Sequence, residues 1–311
     1  MVWNIFVGLI LLILIVLSSG VVVDVFERFV SHLPIKKNRV ISILVGFSLA
    51  LPELFVGIAA ALDGKPQMAL GMVVGASMAN LSLIIGGLAI LASVIPIVGE
   101  YLKRDLWVTV GISLMPFAML FDGVISRIEG GVLVVLYFIY AFYLSNEKMV
   151  IKSSKKKINS HERWGLVVML VLGIIIMSVC SWQLVQIAVG VAAVWGVSWF
   201  WMGLILIAFG TTLPELLLLS FSRKKHRASL VLPDLLGSVV INSTVILGVV
   251  ALITPIVMHE SLQRGLSGMF LVIILGLFWL FTKSKRKLER WEGVVLVGFY
   301  LMFIGLQFMF A

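Results

Sequence analysis

A single cysteine, Cys180, stands among 311 residues, so neither an internal disulfide framework nor a thiolate metal cluster can form. Charge is scarce too. Only 13% of residues are Asp, Glu, Lys or Arg, against about 25% in an ordinary soluble domain. With 61% apolar residues, segments of about 20 residues run without a charge, so lipid is the solvent and no large soluble domain fits. No Gly-rich phosphate-binding loop ending in Lys is present, so ATP is not implied and no cofactor is expected. His32, His161, His226 and His259 are scattered through loops and make no metal site. The apolar run 3–23 lacks a basic leading segment and is too long for the core of a signal peptide. It reads as the first membrane helix.

What is present is a series of apolar runs. Ten spans fit, near 3–24, 40–62, 67–95, 104–122, 130–146, 164–192, 197–222, 229–256, 266–282 and 292–310. The expected fold is an all-α membrane protein of ten transmembrane helices, arranged as two inverted five-helix repeats. The halves are 1–146 and 164–311, joined by a lysine-rich linker at 147–163. Charge supports the count. One set of alternate loops receives only Lys65, Arg127 and Arg264, and the other receives the remaining 21 of 24 basic residues. The positive-inside rule then puts both termini outside and the linker in the cytoplasm of a multi-pass cell-membrane protein. The net charge of +9 is thus topological, and no nucleic-acid partner is implied. The sequence leaves the oligomeric state open.

The repeat is visible in the letters. Leu51-Pro52-Glu53-Leu54 recurs as Leu213-Pro214-Glu215-Leu216, an offset of 162 residues. Gly75 and Gly237, and Asn80 and Asn242, match at the same offset. Glu129-Gly130 echoes Glu292-Gly293 at 163. Five spans per half is an odd number, so the second half enters from the opposite side. Inverted halves with Pro/Gly-interrupted helices at matching positions point to a secondary transporter with a midplane site.

The candidate site follows from residues that lipid tolerates poorly. An ionised side chain at the bilayer centre costs about 2.5–3.5 kcal/mol, yet Glu53 and Glu215 each sit deep in a span. A protonated, hydrogen-bonded glutamate is the bland alternative, and its recurrence in both halves argues against it. Paired carboxylates suit a hard divalent cation such as Ca²⁺, and they can equally take up protons. Pro52 and Pro214 free the carbonyls of Ser48 and Gly210, which a cation can satisfy, although a packing kink explains the prolines as well. Ser77 and Asn80, with Ser238 and Asn242, offer further oxygens. Interhelical hydrogen bonding remains an equal alternative for the serines. Asp234 follows Pro233 and reads either as a helix-end charge or as a carboxylate on the ion path.

The paired Leu-Pro-Glu-Leu segments, each followed by a helix with Gly and Asn, resemble the α-repeats of the calcium/cation antiporter superfamily, most closely its compact prokaryotic sodium/calcium exchangers. The resemblance spans nearly the whole chain, and AFGTTLPE (208–215) is its most specific piece. It implies that Glu53 and Glu215 bind Ca²⁺ and contribute to Na⁺ sites. It also implies that Thr211 and Thr212 supply hydroxyls and carbonyls, and that Ser238, Asn242 and Asn80 line the site. It further implies that spans 1 and 6 slide against a core of spans 2, 3, 7 and 8. The sequence departs from the pattern at Leu49, Ala50 and Ala76, where hydroxyl residues are usual, and at Asn242, where an acid is common.

The sequence thus reads as a secondary-active antiporter exporting Ca²⁺ in exchange for Na⁺ or H⁺. A non-transporting sensor or scaffold that keeps the fold is the alternative. A catalytic carboxylate dyad has no nucleophile motif to support it, so no enzyme is expected.

Overall fold

The computed structural model describes residues 2–31, 50–96, 100–144, 160–212, 232, 235–258, 261–285 and 287–309. Within them the chain is helical almost throughout. The helices are α1 (Val2–Ser31), α2 (Leu51–Leu62), α3 (Pro66–Ala92), α4 (Glu100–Met119), α5 (Arg127–Leu144), α6 (Ser160–Trp195), α7 (Trp199–Thr211), α8 (Leu235–Ile253), α9 (Ser261–Lys285) and α10 (Arg290–Met309). Four short strands lie between them: β1 (Val94–Pro96), β2 (Val124–Ile125), β3 (Ile256–Val257) and β4 (Lys287–Glu289). Among the described residues, α3, α8, α9, α10 and most of α6 are long and apolar enough to cross a membrane. Helix α6 begins at Ser160, inside the stretch read from sequence as linker. Residues 145–159 lie outside the described set.

Burial sorts the helices into two kinds. Helices α3 and α8 are buried along most of their length, whereas fewer than half of the residues of α6, α9 and α10 are buried. A helix apolar all round belongs in a core or in a bilayer, and here both occur. Helix α1 lies antiparallel on α6: Gly8 packs by Leu184 and Ile187 at one end, and Gly173 by Val22 and Ser18 at the other.

The core is drawn together by glycines. A Cβ on Gly71 would lie 1.9 Å from the Phe200 carbonyl oxygen, and one on Gly203 would lie 1.9 Å from that of Met68. Only glycine lets α3 and α7 approach backbone to backbone in this way, which is how membrane helices gain contact without a hydrophobic drive between them. Contacts advance together along both chains, from Gly71 at Phe200 to Gly75 at Ala208, so α3 and α7 run parallel. Helices α2 and α8 do the same. Gly57 meets Ile246 and Val250, and the Thr254 hydroxyl donates to the Ala61 carbonyl at 2.9 Å.

The offset of 162–163 residues recurs in these contacts. Gly86 abuts Gly293, and Gly130 abuts Gly248. Strand β1 pairs with β4 and β2 with β3, both antiparallel, each pair joining one half of the chain to the other. The Ser126 amide donates to the Glu129 carboxylate at 2.7 Å, and the Glu289 amide donates to that of Glu292 at 2.7 Å. These two acids therefore tie off the first turns of α5 and α10, with Ser126 and Glu129 forming a reciprocal capping box. Asp24 is exposed and paired with Arg28.

Candidate cation site

Glu53 is 3% exposed and lies in the first turn of α2. Residues 40–49 of the span read from sequence lie outside the described residues. Pro52 lies in the first turn of α2, where a missing N–H costs nothing. Glu53 thereby gains a favourable setting, because the positive end of a helix stabilises a carboxylate. Ser48, Glu215 and Asp234 lie outside the described residues.

The partners of Glu53 come from both halves. Gly57, one turn beyond Glu53, packs on Ile246, one turn beyond Asn242. Since α2 and α8 run parallel, Glu53 and Asn242 occupy the same level of that pair. On α3, Ser77 and Asn80 follow Gly75, which packs on Leu204 and Ala208 of α7. The next turn of α7 carries Thr211, with Thr212 just beyond it. Helices α2, α3, α7 and α8 thus bring Glu53, Ser77, Asn80, Thr211, Thr212 and Asn242 into one buried region. Ser238 lies one turn before Asn242 and is half-buried.

Every ligand candidate here is an oxygen, and several are poised. Asn80 and Asn242 are 1% and 2% exposed, and neither side-chain carbonyl oxygen has a hydrogen-bond partner among the described residues. The Ser77 hydroxyl is in the same condition. Leaving a buried acceptor unsatisfied costs about 1–3 kcal/mol, so three such atoms in the same buried region as a carboxylate favour a species that takes several oxygens. The hydroxyls of Thr211 and Thr212 donate to the Ala208 carbonyl at 3.2 and 2.8 Å. With their protons so engaged, their lone pairs remain to face a cation. An oxygen-only set suits Ca²⁺ or Na⁺ rather than a soft transition metal.

Two features escaped the sequence reading. Helices α3, α7 and α8 each widen into a π-helical turn, at Ala79–Ile84, Gly203–Ile207 and Asn242–Ile246. Such turns are frequent at functional sites. Ser113 and Ser181 are also fully buried with hydroxyls lacking a partner among the described residues. The π-turns have no pattern in the letters, because widening depends on the packing around a helix. The serines sit singly in apolar runs without a repeated motif.

The likeness to known proteins is extensive. The family model described as "Sodium/calcium exchanger protein" matches residues 3–146 and 165–309. The inner membrane protein YrbG of Escherichia coli K12 is 29% identical over 278 residues, covering 85% of this chain and 84% of that one. A solved structure of the sodium-calcium exchanger NCX_Mj is 27% identical, covers 97% of both chains and superimposes with a TM-score of 0.66. The H⁺/Ca²⁺ exchanger CAX, 16% identical, covers 98% of this chain and 86% of its own, with a TM-score of 0.78 that speaks to fold alone. The chain belongs to the sodium/calcium exchanger family, as a transmembrane antiporter and not an enzyme.

Proposed function

We propose that this antiporter exports Ca²⁺ from the cytoplasm in exchange for Na⁺ or H⁺, using one carboxylate site in turn for cargo and driving ion. The observation that carries the proposal is the buried oxygen set at the crossing of α2, α3, α7 and α8, with buried Glu53 level with Asn242 and the amide oxygens of Asn80 and Asn242 without a partner among the described residues. Glu215 completes the pair of carboxylates, and Thr211, Thr212, Ser77, Ser238 and the carbonyl of Ser48 contribute the remaining oxygens. A carboxylate holding Ca²⁺ cannot at the same time hold Na⁺ or a proton. That exclusion couples the two fluxes without ATP or a resident cofactor.

The architecture proposed is ten spans in two inverted halves, 1–146 and 164–311, with both termini outside and the linker 147–163 in the cytoplasm. The cross-paired strands and glycines support it. The antiparallel pair α1 and α6, which exposes much of its surface to lipid, is the element proposed to slide over the core.

A sensor or scaffold that binds the cation without moving it is the second reading. Apolar Ala50 and Ala76, 3% and 0% exposed where hydroxyls are usual, favour it. The same positions lower the number of Na⁺ ligands in the first half and so favour H⁺ as driver. Filter binding of ⁴⁵Ca²⁺ to the purified protein, titrated with Na⁺ and separately with pH, tests the shared site. Bound Ca²⁺ is expected to fall as the driving ion rises. Ca²⁺ binding indifferent to both ions contradicts the proposal.

A further inference from the structure

We propose that Ser82 and Thr244 are positioning residues, whose hydroxyls staple the two widened turns and thereby aim the amides of Asn80 and Asn242 at the cation. The inference rests on the preceding reading, since the aim of those amides matters only at a cation site.

Four pairs of atoms match at the 162-residue offset. The π-turn of α3 is closed by the Ile85 amide donating to the Asn80 carbonyl, and that of α8 by the Leu247 amide donating to the Asn242 carbonyl. Both are bonds from residue i to residue i−5, so each asparagine's own backbone anchors a widened turn. Where the widening begins, the Ser82 hydroxyl donates to the Met78 carbonyl. In the other half the Thr244 hydroxyl donates to the Val240 carbonyl at 2.6 Å. Ser82 and Thr244 differ as residues, but the hydroxyl and its acceptor position coincide.

A hydroxyl bonded to the carbonyl four residues back bends a helix and competes with its regular ladder. On a lipid-facing surface such a bond only hides a polar group, as at the exposed Ser178, which donates to Ile174. Ser82 and Thr244 are both 0% exposed, and an alanine or valine there would bring no polar group to hide. The third widened turn, Gly203–Ile207, contains no hydroxyl and no amide side chain. Staple and site amide therefore occur together in both halves, and neither occurs at the third turn. Without the staple the turn relaxes toward the regular α-form, which rotates the asparagine away from Glu53.

The test is Ca²⁺ uptake by reconstituted Ser82→Ala, Thr244→Val, Thr244→Ser and the Ser82→Ala/Thr244→Val double variant, beside wild type and Glu53→Gln. Loss of a group that orients a ligand costs about 10–100-fold in metal affinity. Each single removal is expected to raise the KM for Ca²⁺ at least tenfold and the double variant further, with kcat within about twofold. Thr244→Ser is expected to recover the wild-type KM, and thermal midpoints to stay unchanged. A wild-type KM in Thr244→Val, or a Thr244→Ser as impaired as Thr244→Val, overturns the staple while Glu53→Gln still loses flux. Wild-type flux that survives Glu53→Gln removes the site itself, and the staple with it. If Thr244→Val does not reach the membrane, Ser82→Ala decides, since it deletes one buried oxygen atom.

Discussion

Glu53→Gln is expected to lower Ca²⁺ transport more than a hundredfold while leaving the protein folded, and Glu215→Gln to do the same. The amide keeps the shape of the carboxylate and removes its charge. Removing one member of a buried charge interaction costs about 3–5 kcal/mol, and about 1.4 kcal/mol is a factor of ten in an equilibrium constant. The effect is large because, apart from Glu215, the other candidate ligands are neutral: the amides of Asn80 and Asn242 and the hydroxyls of Ser77, Thr211 and Thr212. Asn242, where an acid is common in the superfamily, leaves the second half with less charge to spare. Initial rates of ⁴⁵Ca²⁺ uptake, normalised to reconstituted protein, read the change. Transport within a few-fold of wild type in Glu53→Gln contradicts the assignment.

Gly71→Leu is expected to abolish the fold itself. The Cβ it adds would stand 1.9 Å from the Phe200 carbonyl oxygen and 2.9 Å from the Leu204 amide nitrogen. The obstacle is backbone, so no rotamer relieves it, and α3 and α7 must separate. Overpacking in a core costs about 1–3 kcal/mol where side chains can shift, and here they cannot. Gly203→Leu meets the Met68 carbonyl in the same way. Gly190 on α6 has nothing within 4 Å, so Gly190→Ala serves as control. Size-exclusion profiles of fluorescent fusions in mild detergent are expected to show aggregate for the two core variants and a single peak for the control. A single peak with wild-type flux for Gly71→Leu overturns the proposed crossing.

Hydropathy made the helical membrane architecture legible, because lipid punishes misplaced charge, and the 162–163-residue offset recurs in the contacts of Gly86 with Gly293 and of Gly130 with Gly248. Gly75, Asn80 and Asn242 were readable as letters in register, and the structure buries Asn80 and Asn242 in the core. Pro52 was readable as a break, and it stands in the first turn of α2. The echo of Glu129 in Glu292 was visible, yet its meaning was not. Ser126-x-x-Glu129 carries the capping signature, whereas the second half has Glu289 in place of the serine and caps with the acid alone. Thr244 was missed because its partner is Ser82, and the shared hydroxyl is hidden behind different letters. The strand pairs are two or three residues long and join opposite halves, so no local pattern announces them.

Antiport through one shared carboxylate site is the central claim, and ⁴⁵Ca²⁺ uptake into proteoliposomes under an imposed Na⁺ gradient, an imposed H⁺ gradient or neither tests it most directly. The account predicts uptake that depends on one of the two gradients and is lost in Glu53→Gln. Equal Ca²⁺ entry under all three conditions, or none under any, would contradict it.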